Sequence, residues 1–223
     1  MQTRSNRQRT DATRRALTAS ARELFVVHGY AGTSTPAIVA ATGLTRGALY
    51  HHFADKRDLF RAVVADEARA VAEAIAAAVA PGATPREALL AGSATYLAAM
   101  RVPGRTRLLL IEGPAILGAA EVDALDQAGA AGALRAGLAA AIGPQNHLPV
   151  AALATLLSAA FDRAALAIDA GADADAFRNA MDLLLERTLP APLGGVGGGR
   201  RPPPTGAAAA ATAPRRAEPK PRR

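Results

Sequence analysis

The sequence predicts an all-α protein of 223 residues. Alanine is abundant and β-branched residues seldom follow one another, a composition that favours helices. Apolar residues recur at spacings of three and four, as they do on the buried face of a helix. No stretch alternates apolar and polar residues between turn signals, as a half-buried strand would. With 4% aromatic residues and no tryptophan, the core must be built from Ala, Leu, Val and Ile.

Composition also limits the classes of site and the location. The chain has no cysteine, which excludes disulfides, thiolate metal sites and cysteine nucleophiles and fits a reducing cytoplasm. The first fifteen residues are polar and arginine-rich, without the apolar segment of a secretory signal. The longest apolar stretch, residues 108–118, contains Glu112 and Pro114 and is too short to cross a bilayer. We therefore expect a cytoplasmic protein with no membrane partner.

Charge is distributed unevenly along the chain. Residues 1–60 hold nine Lys or Arg and four Asp or Glu, residues 61–189 hold ten and fourteen, and residues 190–223 hold seven and one. Nucleic acid is the expected partner of the basic first segment. Any single charge run, taken alone, favours a solvated surface.

The N-terminal segment predicts a basic arm followed by a long helix. Residues 1–10 are polar and predicted to be disordered; their arginines fit either an unstructured leader or an arm that contacts phosphates or a minor groove. The first helix is predicted from about Thr10 or Asp11 to about His28, where Gly29 ends it. Its predicted buried stripe is Leu17, Ala21, Leu24, Phe25 and His28.

Residues 35–53, TPAIVAATGLTRGALYHHF, predict two short helices around a tight turn. Ser34–Thr35–Pro36 places a hydroxyl N-cap before a proline at the first helical position, where a missing N–H costs nothing. Gly43 supplies a turn conformation that residues with a Cβ resist. Thr45 is placed to cap the second helix. Its inward side carries Leu49 and Phe53.

The outward side of that second helix carries Gly47, Tyr50 and His51, with Arg46 beside them in the first turn. A short helix that is buried on one side and polar on the other suits a DNA major groove. A plain helical hairpin has the same shape, and Tyr or His at a helix end is often an ordinary surface residue. Spacing alone leaves both interpretations open.

The segment HGYAGTSTPAIVAATGLTRGALYHHFADKRDLFRAVV, residues 28–64, closely resembles the DNA-binding domain of TetR/AcrR-family transcriptional regulators. The resemblance runs from about Thr13 to Val64, and its most specific parts are GYAGTS, TGLTRGALYHHF and DKRDLF. Val39 departs from the general helix-turn-helix pattern, where a small residue is common. The resemblance implies an N-terminal three-helix helix-turn-helix DNA-binding domain and a C-terminal helical domain for ligand binding and dimerisation.

The candidate DNA contacts follow from their chemistry. Arg46 matches the bidentate hydrogen bonds that guanine N7 and O6 accept, and Gly47 allows the backbone to approach the groove floor. Tyr50 and the two histidines are able to donate to phosphate. The resemblance implies phosphate contacts at Tyr50, His52 and Lys56, and operator-dependent contacts at positions 45–47 and 51. The predicted DNA-binding residues are Thr35, Thr45, Arg46, Gly47, Tyr50, His51, His52 and Lys56.

Helical patterns continue to residue 188. Asp55 is a predicted N-cap for a helix from Lys56 to about Ala80, which would act as a lever between the two ends of the protein. Further helices are predicted at about 85–101, 104–117, 121–142, 149–170 and 173–188. The last two carry apolar stripes of the kind that usually form internal core, and the resemblance implies that they pair with their copies in a dimer.

The predicted domains are a disordered basic arm at 1–10, the helix-turn-helix domain at 11–57, the effector-binding and dimerisation domain at 58–189, and a disordered basic Pro/Gly/Ala-rich tail at 190–223. Candidate effector contacts are chosen by polarity and size, and each is equally consistent with core, surface or dimer contact. They are Tyr96, Met100, Arg107, Glu112 and Phe161.

Enzyme activity is not expected. His51 and His52 are adjacent and diverge by about 100° on a helix, so they do not form an i, i+4 metal pair. The HExxH, GxSxG and Walker patterns are missing from the sequence, and no cofactor or metal is predicted.

The resemblance implies a sequence-specific regulator of transcription that binds double-stranded DNA, with repression as the usual mode of the family. Because so small a reading surface rarely gives adequate specificity alone, we expect a homodimer on a palindromic operator. A small-molecule effector of unknown identity would lower operator affinity by binding the DNA-incompetent arrangement more tightly. An activator remains an alternative, and so does a nonspecific basic DNA-coating protein, given the two charged ends.

Overall fold

The structure is a computed structural model that describes residues 6–190, with side chains from residue 8 onward. In that part of the chain every regular element is a helix, which confirms the predicted fold class. The elements are α1 (Asn6–Gly32), α2 (Thr35–Thr42), α3 (Arg46–His52), α4 (Lys56–Ala78), α5 (Pro85–Met100), α6 (Arg105–Arg107), a π-helical segment (Leu108–Glu112), α7 (Gly113–Leu117), α8 (Ala119–Gln127), α9 (Ala130–Ile142), α10 (Val150–Asp169) and α11 (Ala174–Thr188).

The first helix differs from its predicted start. It begins at Asn6, so residues 6–10, which were predicted to be part of the disordered arm, are helical. Its regular geometry breaks at Gly29, as predicted, where φ is 72° and ψ is 169°. Arg4, the side chain of Arg7 and the predicted tail beyond Pro190 lie outside the described residues.

Local hydrogen bonds define the two short helices. The hydroxyl of Ser34 accepts a bond from the N–H of Ala37 at 3.3 Å and caps α2. Gly43, with φ 64° and ψ 14°, ends it in the left-handed region. The hydroxyl of Thr45 then accepts from the N–H of Ala48 at 3.1 Å and caps α3. These contacts span at most four residues, which is why the sequence was sufficient to place them.

A first core joins α1, α2, α3 and α4. The rings of Phe25 and Phe60 meet edge to face with centroids 5.1 Å apart, and the ring of Tyr30 lies 5.0 Å from Phe60. The same core extends into the second half of the chain, across the predicted domain boundary. Its buried residues include Leu17, Ala21, Phe25, Ile38, Leu49, Phe53, Leu59, Phe60, Val63, Val64, Leu108, Leu109 and Leu117.

The described residues up to Pro190 form one continuous unit. Because α4 and the π-helical segment pack on the core that also holds the short helices, no separate linker divides the unit. The π-helical segment therefore contacts the elements that position α3, and a movement of this segment would act on them.

Two predicted helices are interrupted. The predicted helix at 121–142 is divided between α8 and α9, since Gly129 has the non-helical angles φ −123° and ψ −117°. Asp126 stabilises the break by accepting the N–H of Ala131 at 3.2 Å. The predicted helix at 104–117 contains the π-helical turn. A Cβ on Gly113 would lie 2.8 Å from the backbone oxygen of Leu108, so this turn requires glycine.

A second core lies among α5, α9, α10 and α11. Its buried residues include Leu89, Leu97, Leu138, Ile142, Ala154, Leu157, Phe161, Ala164, Met181, Leu185 and Leu189. Among the described helices, α10 is long and apolar enough by composition to cross a membrane, which corrects the expectation that residues 108–118 are the longest apolar stretch. A core helix has the same properties, and α10 contributes Leu157 and Phe161 to this core.

Candidate DNA-binding surface and ligand cavities

Helix α3 has one buried side and one exposed side. Leu49 is 0% exposed and Phe53 is 1% exposed, and both anchor α3 in the first core. We call the opposite side the reading face. Its exposed residues are Thr45, Arg46, Gly47, Tyr50 and His51.

A polar cluster ties the reading face to the start of α2. Hydrogen bonds from Thr35, and then from Arg46, hold the pKa of the Tyr50 phenol below its usual range. The Arg46 guanidinium carbon lies 5.5 Å from the centroid of the Tyr50 ring. Thr35 thus joins α2 to α3 on the exposed side, and Tyr50 orients the arginine. The sequence named these three residues but did not predict their mutual contacts.

Gly47 is not required by the packing of the protein. An added Cβ would find the hydroxyl oxygen of Thr45 as its nearest atom, at 3.9 Å, which is ordinary contact. The space in front of Gly47 is therefore open, and another molecule is able to approach the backbone there.

The end of α3 is held by Arg14 from α1. The Arg14 guanidinium donates to the backbone oxygen of His52 at 3.0 Å and lies 4.3 Å over the ring of Phe53. Burial, with smaller contributions from His51 and Arg14, lowers the pKa of the His52 imidazole. The neutral imidazole of His52, which carries one N–H donor, is thereby favoured, whereas His51 is exposed.

Lys56 has structural contacts that the sequence did not predict. Its ammonium donates to the backbone oxygens of Tyr30 and Thr33 at 2.9 and 3.0 Å, and it lies 4.1 Å over the Tyr30 ring. Two of its three N–H groups are thereby used inside the protein. One donor and the positive charge remain for a phosphate.

A buried carboxylate links α1, α4 and α6. Glu67 accepts from Arg22 at 2.6 Å through one oxygen and from Arg105 at 2.6 Å through the other. Burial raises the pKa of Glu67, but the hydrogen bonds and charges of the two arginines outweigh it and hold the pKa below its usual range. The signal in the sequence is the position of Glu67, four residues from both Val63 and Val71 on the buried stripe of α4.

Arg107 and Glu112, two of the predicted effector contacts, hold the end of α1 and line neither of the two larger cavities. Arg107 donates to the backbone oxygens of Phe25 and Val26. The Glu112 carboxylate accepts from the N–H of Tyr30 at 3.2 Å. Their partners are backbone groups, which have no side-chain signature in the sequence.

A second set of contacts joins the start of α4 to α7 and α8. Arg57 donates to the backbone oxygens of Ile116 and Leu117 at 3.2 and 2.9 Å. Arg57 and Arg61 both form ion pairs with Glu121. The helices after the π-helical segment are therefore attached to the first turns of α4, directly behind the helix-turn-helix.

Two neighbouring cavities lie between the cores. The larger, about 210 Å³, is bounded by α4, α5, α9 and α10 and includes Tyr96 and Phe161. The smaller, about 180 Å³, includes Tyr96 and Met100 and reaches the π-helical segment. Tyr96 and Asp126 belong to the walls of both. Three of the predicted effector residues thus line a cavity.

Sequence reasoning missed two aspartates on these walls. Asp126 lies in both cavities, and Asp162, which accepts a hydrogen bond from the Tyr96 hydroxyl at 2.6 Å, lies in the smaller one. The available signal was Asp162 itself, one of the few charged residues of α10, directly after Phe161.

These features define a helix-turn-helix protein with an attached cavity-bearing helical domain, the architecture of a DNA-binding regulator. Residues 17–63 match the family described as "Bacterial regulatory proteins, tetR family". Residues 86–190 match "Tetracyclin repressor-like, C-terminal domain".

Known proteins agree with both matches. A TetR-family regulator from Pectobacterium atrosepticum is 30% identical, with 82% of this chain and 95% of that one covered and a TM-score of 0.62. The chain belongs to the TetR family of transcriptional regulators, whose members bind DNA and are not enzymes.

Two named regulators are also similar to this chain. The repressor AcnR of Corynebacterium glutamicum is 40% identical over 62 residues, which cover 28% of this chain. This match covers 33% of AcnR, so the chain spans about a third of the length of the curated relatives that it matches. The regulator LfrR of Mycobacterium smegmatis, solved in complex with proflavine, shares the fold with a TM-score of 0.57 at 21% identity, over 81% of this chain and 98% of LfrR.

Proposed function

We propose that this regulator is a ligand-responsive repressor that binds a palindromic operator as a homodimer in the cytoplasm. The observation that carries the proposal is the reading face of α3, which is polar, exposed and open at Gly47, while the other side of the same helix is fully buried. A helix held this rigidly from behind presents its side chains to a groove in a fixed geometry.

Base reading is assigned to the first turn of α3. Arg46 donates two hydrogen bonds to a guanine edge, Thr45 contacts a base methyl or a phosphate, and Gly47 brings the backbone close to the bases. His51 adds an exposed donor whose partner depends on the operator.

The other predicted DNA-binding residues are assigned to the phosphate backbone. Tyr50 and Thr35 donate together because their hydroxyls already lie in one cluster. His52 donates as a neutral imidazole, and Lys56 supplies charge with its remaining N–H.

A second copy is the proposed partner of α10 and α11. Leu156, Leu183 and Leu184 are 68%, 54% and 48% exposed in a single copy. Burying these leucines would remove a large apolar area from water, and small residues such as Ala159 and Ala160 on α10 allow close approach of helices. A twofold dimer would present two reading faces to two half-sites, as a palindrome requires.

Effector binding is assigned to the two cavities. LfrR, which shares this fold, was solved in complex with proflavine, and this supports a small-molecule ligand for the present chain. The smaller cavity includes Leu109 and Leu110 of the π-helical segment, whose last residue, Glu112, binds the end of α1. A ligand that displaces this segment would tilt α1 and thereby move the reading face. Operator affinity then falls by a factor set by how much more tightly the ligand binds the DNA-incompetent conformation than the DNA-competent one.

The test compares Arg46→Ala with Arg135→Ala, an exposed arginine on α9 with the same change of charge. Affinities are measured for the selected operator and for random duplex of equal length. We expect Arg46→Ala to lose about 1–3 kcal/mol per half-site on the operator and much less on random DNA, while Arg135→Ala matches the wild type. Equal losses of Arg46→Ala on both duplexes would contradict base reading and favour a nonspecific DNA-coating protein.

A further inference from the structure

The two cavities share two polar residues, Tyr96 and Asp126, in walls that are mainly apolar. The larger cavity is lined mainly by alanine, leucine, isoleucine and aromatic side chains, and Asp126 is its one ionisable carboxylate. Asp126 also borders the smaller cavity, together with Asp123 and Asp162. The Tyr96 hydroxyl, on the shared wall, donates to Asp162 at 2.6 Å. The carboxylates are therefore gathered where the two spaces adjoin.

Within the part of the chain that the structure describes, no positively charged side chain pairs with these carboxylates. Neither cavity is lined by a lysine or arginine, and none of the three aspartates takes part in an ion pair within residues 6–190. Burial, followed by the charge of neighbouring carboxylates, raises the pKa of Asp126 and of Asp162. Carboxylates withdrawn from water without a cationic partner reduce stability, so a bound cation would relieve a cost that the free protein carries.

Aromatic rings complete the electrostatic character of the site. Tyr96 and Phe161 meet edge to face with centroids 5.5 Å apart, and both belong to the wall of the larger cavity. Aromatic faces and carboxylates both attract cations. Among the described residues, no three His, Asp or Glu side chains are grouped closely enough to hold a metal ion. The complementary ligand is consequently an organic cation.

We propose that the paired cavities bind an amphipathic organic cation, with a protonated amine between Asp126 and Asp162 and an apolar, preferably aromatic body in the larger cavity. This inference rests on the proposed effector function and names the ligand class for it. Anionic ligands, such as carboxylates or phosphate esters, are excluded from the same position by like charge, because no lysine or arginine is among the described residues that line the two cavities.

Three probes of matched shape test the charge preference directly: 4-phenylbutylamine, 4-phenylbutan-1-ol and 4-phenylbutyrate. Each is titrated calorimetrically into the full-length chain in the absence of DNA. We expect the amine to bind at least about tenfold more tightly than the alcohol, and the carboxylate to bind most weakly, since a charged hydrogen bond adds to the shared apolar contact.

Asp162→Asn and Asp126→Asn remove the charge but keep an oxygen that accepts the existing hydrogen bonds. We expect each substitution to lower the affinity for the amine by about tenfold and to leave the affinity for the alcohol unchanged. Asp66→Asn, a half-exposed residue of α4 outside both cavities, is the matched control and should leave all three affinities unchanged. Thermal unfolding confirms that the variants are folded.

Several results would overturn the ligand class: binding of the alcohol or the carboxylate as tight as that of the amine, an amine affinity that survives both cavity variants, or no binding of any probe. Because the titration contains no DNA, the two proposals fail separately. A chain that selects an operator but shows no preference for the amine overturns only the ligand class. A chain that prefers the amine but selects no operator overturns only the repressor function.

Discussion

Gly47→Ala separates stability from DNA binding more cleanly than any other change on the reading face. The substitution adds one methyl group at an exposed position in the first turn of α3. In the free protein this methyl would lie 3.9 Å from its nearest neighbour, the Thr45 hydroxyl oxygen, so it meets no clash. Alanine is also the better helix former.

The two expected effects have opposite signs. Replacing a helical glycine by alanine should stabilise the fold by about 0.5 kcal/mol, which raises Tm by about 1–2 °C in a domain of this size. If the Gly47 backbone faces the bases, the methyl must displace DNA or protein, and overpacking a close contact costs about 1–3 kcal/mol. Because a dimer carries the change twice, operator affinity should fall by about thirtyfold or more.

The assay measures Tm by calorimetry and operator affinity by fluorescence anisotropy on the same preparations. Gly43→Ala is the control: it adds the same methyl into equally open space, but at φ 64°, where a Cβ is strained by about 1 kcal/mol or more. We expect Gly43→Ala to lower Tm and Gly47→Ala to raise it. Wild-type operator affinity in Gly47→Ala would refute the assignment of this face to the groove.

Four further results are expected. Lys56→Ala should weaken binding to operator and to random DNA by the same factor. It should also lower the free energy of unfolding by about 1–2 kcal/mol, because two backbone oxygens lose a charged donor. Urea titration measures this second effect. Glu67→Gln should destabilise the protein by about 3 kcal/mol at neutral pH. Since the Glu67 pKa is lower in the folded than in the unfolded protein, its contribution to the free energy of unfolding is fully present at a pH above the ordinary pKa of glutamate. The contribution is lost as the pH falls through the lowered pKa of the folded state. The unfolding curves of the wild type and the variant should therefore converge in acid. Leu156→Glu should yield a monomer by analytical ultracentrifugation, and a dimer of unchanged stability would contradict the proposed interface. Amine affinity should fall as pH drops through the raised pKa of Asp162, because the protonated carboxyl no longer attracts an ammonium, and calorimetry of Asp162→Asn should show a weaker dependence. The titratable groups that face Asp162 are Tyr96 from α5 and Asp123 and Asp126 from α8.

The helix-turn-helix was predictable because its determinants are local. Ser34, Gly43 and Thr45 each act on backbone groups within four residues, so sequence spacing alone places the caps and the turn. Leu49 and Phe53 are likewise separated by one helical turn, and burial of one side leaves the reading face exposed. The exposed positions of the reading face follow from the same period.

The contacts that connect the two halves were not predictable, since they join distant positions. Glu67 and Arg105 are 38 residues apart, and Arg107 reaches the end of α1 more than 80 residues away. Helical periodicity indicates which side of a helix is buried, but it does not indicate which helix covers it. The charged residues of the C-terminal half therefore had no assignable partners.

The cavity was partly predictable. Tyr96 and Phe161 stand out by size in an alanine-rich segment, and both line the larger cavity. Asp126 lies on the wall just before the chain breaks at Gly129, between α8 and α9, where a continuous helix was predicted. The chain contains many glycines, and the sequence does not indicate that the backbone angles of this one interrupt a helix.

Selection from a pool of random duplexes by the purified full-length chain tests the central claim most directly, that the exposed side of α3 reads base sequence. The account predicts enrichment of one palindromic motif with a half-site guanine whose preference is lost in Arg46→Ala. Recovery of no motif, or of the same motif with the same guanine preference by Arg46→Ala, would contradict it.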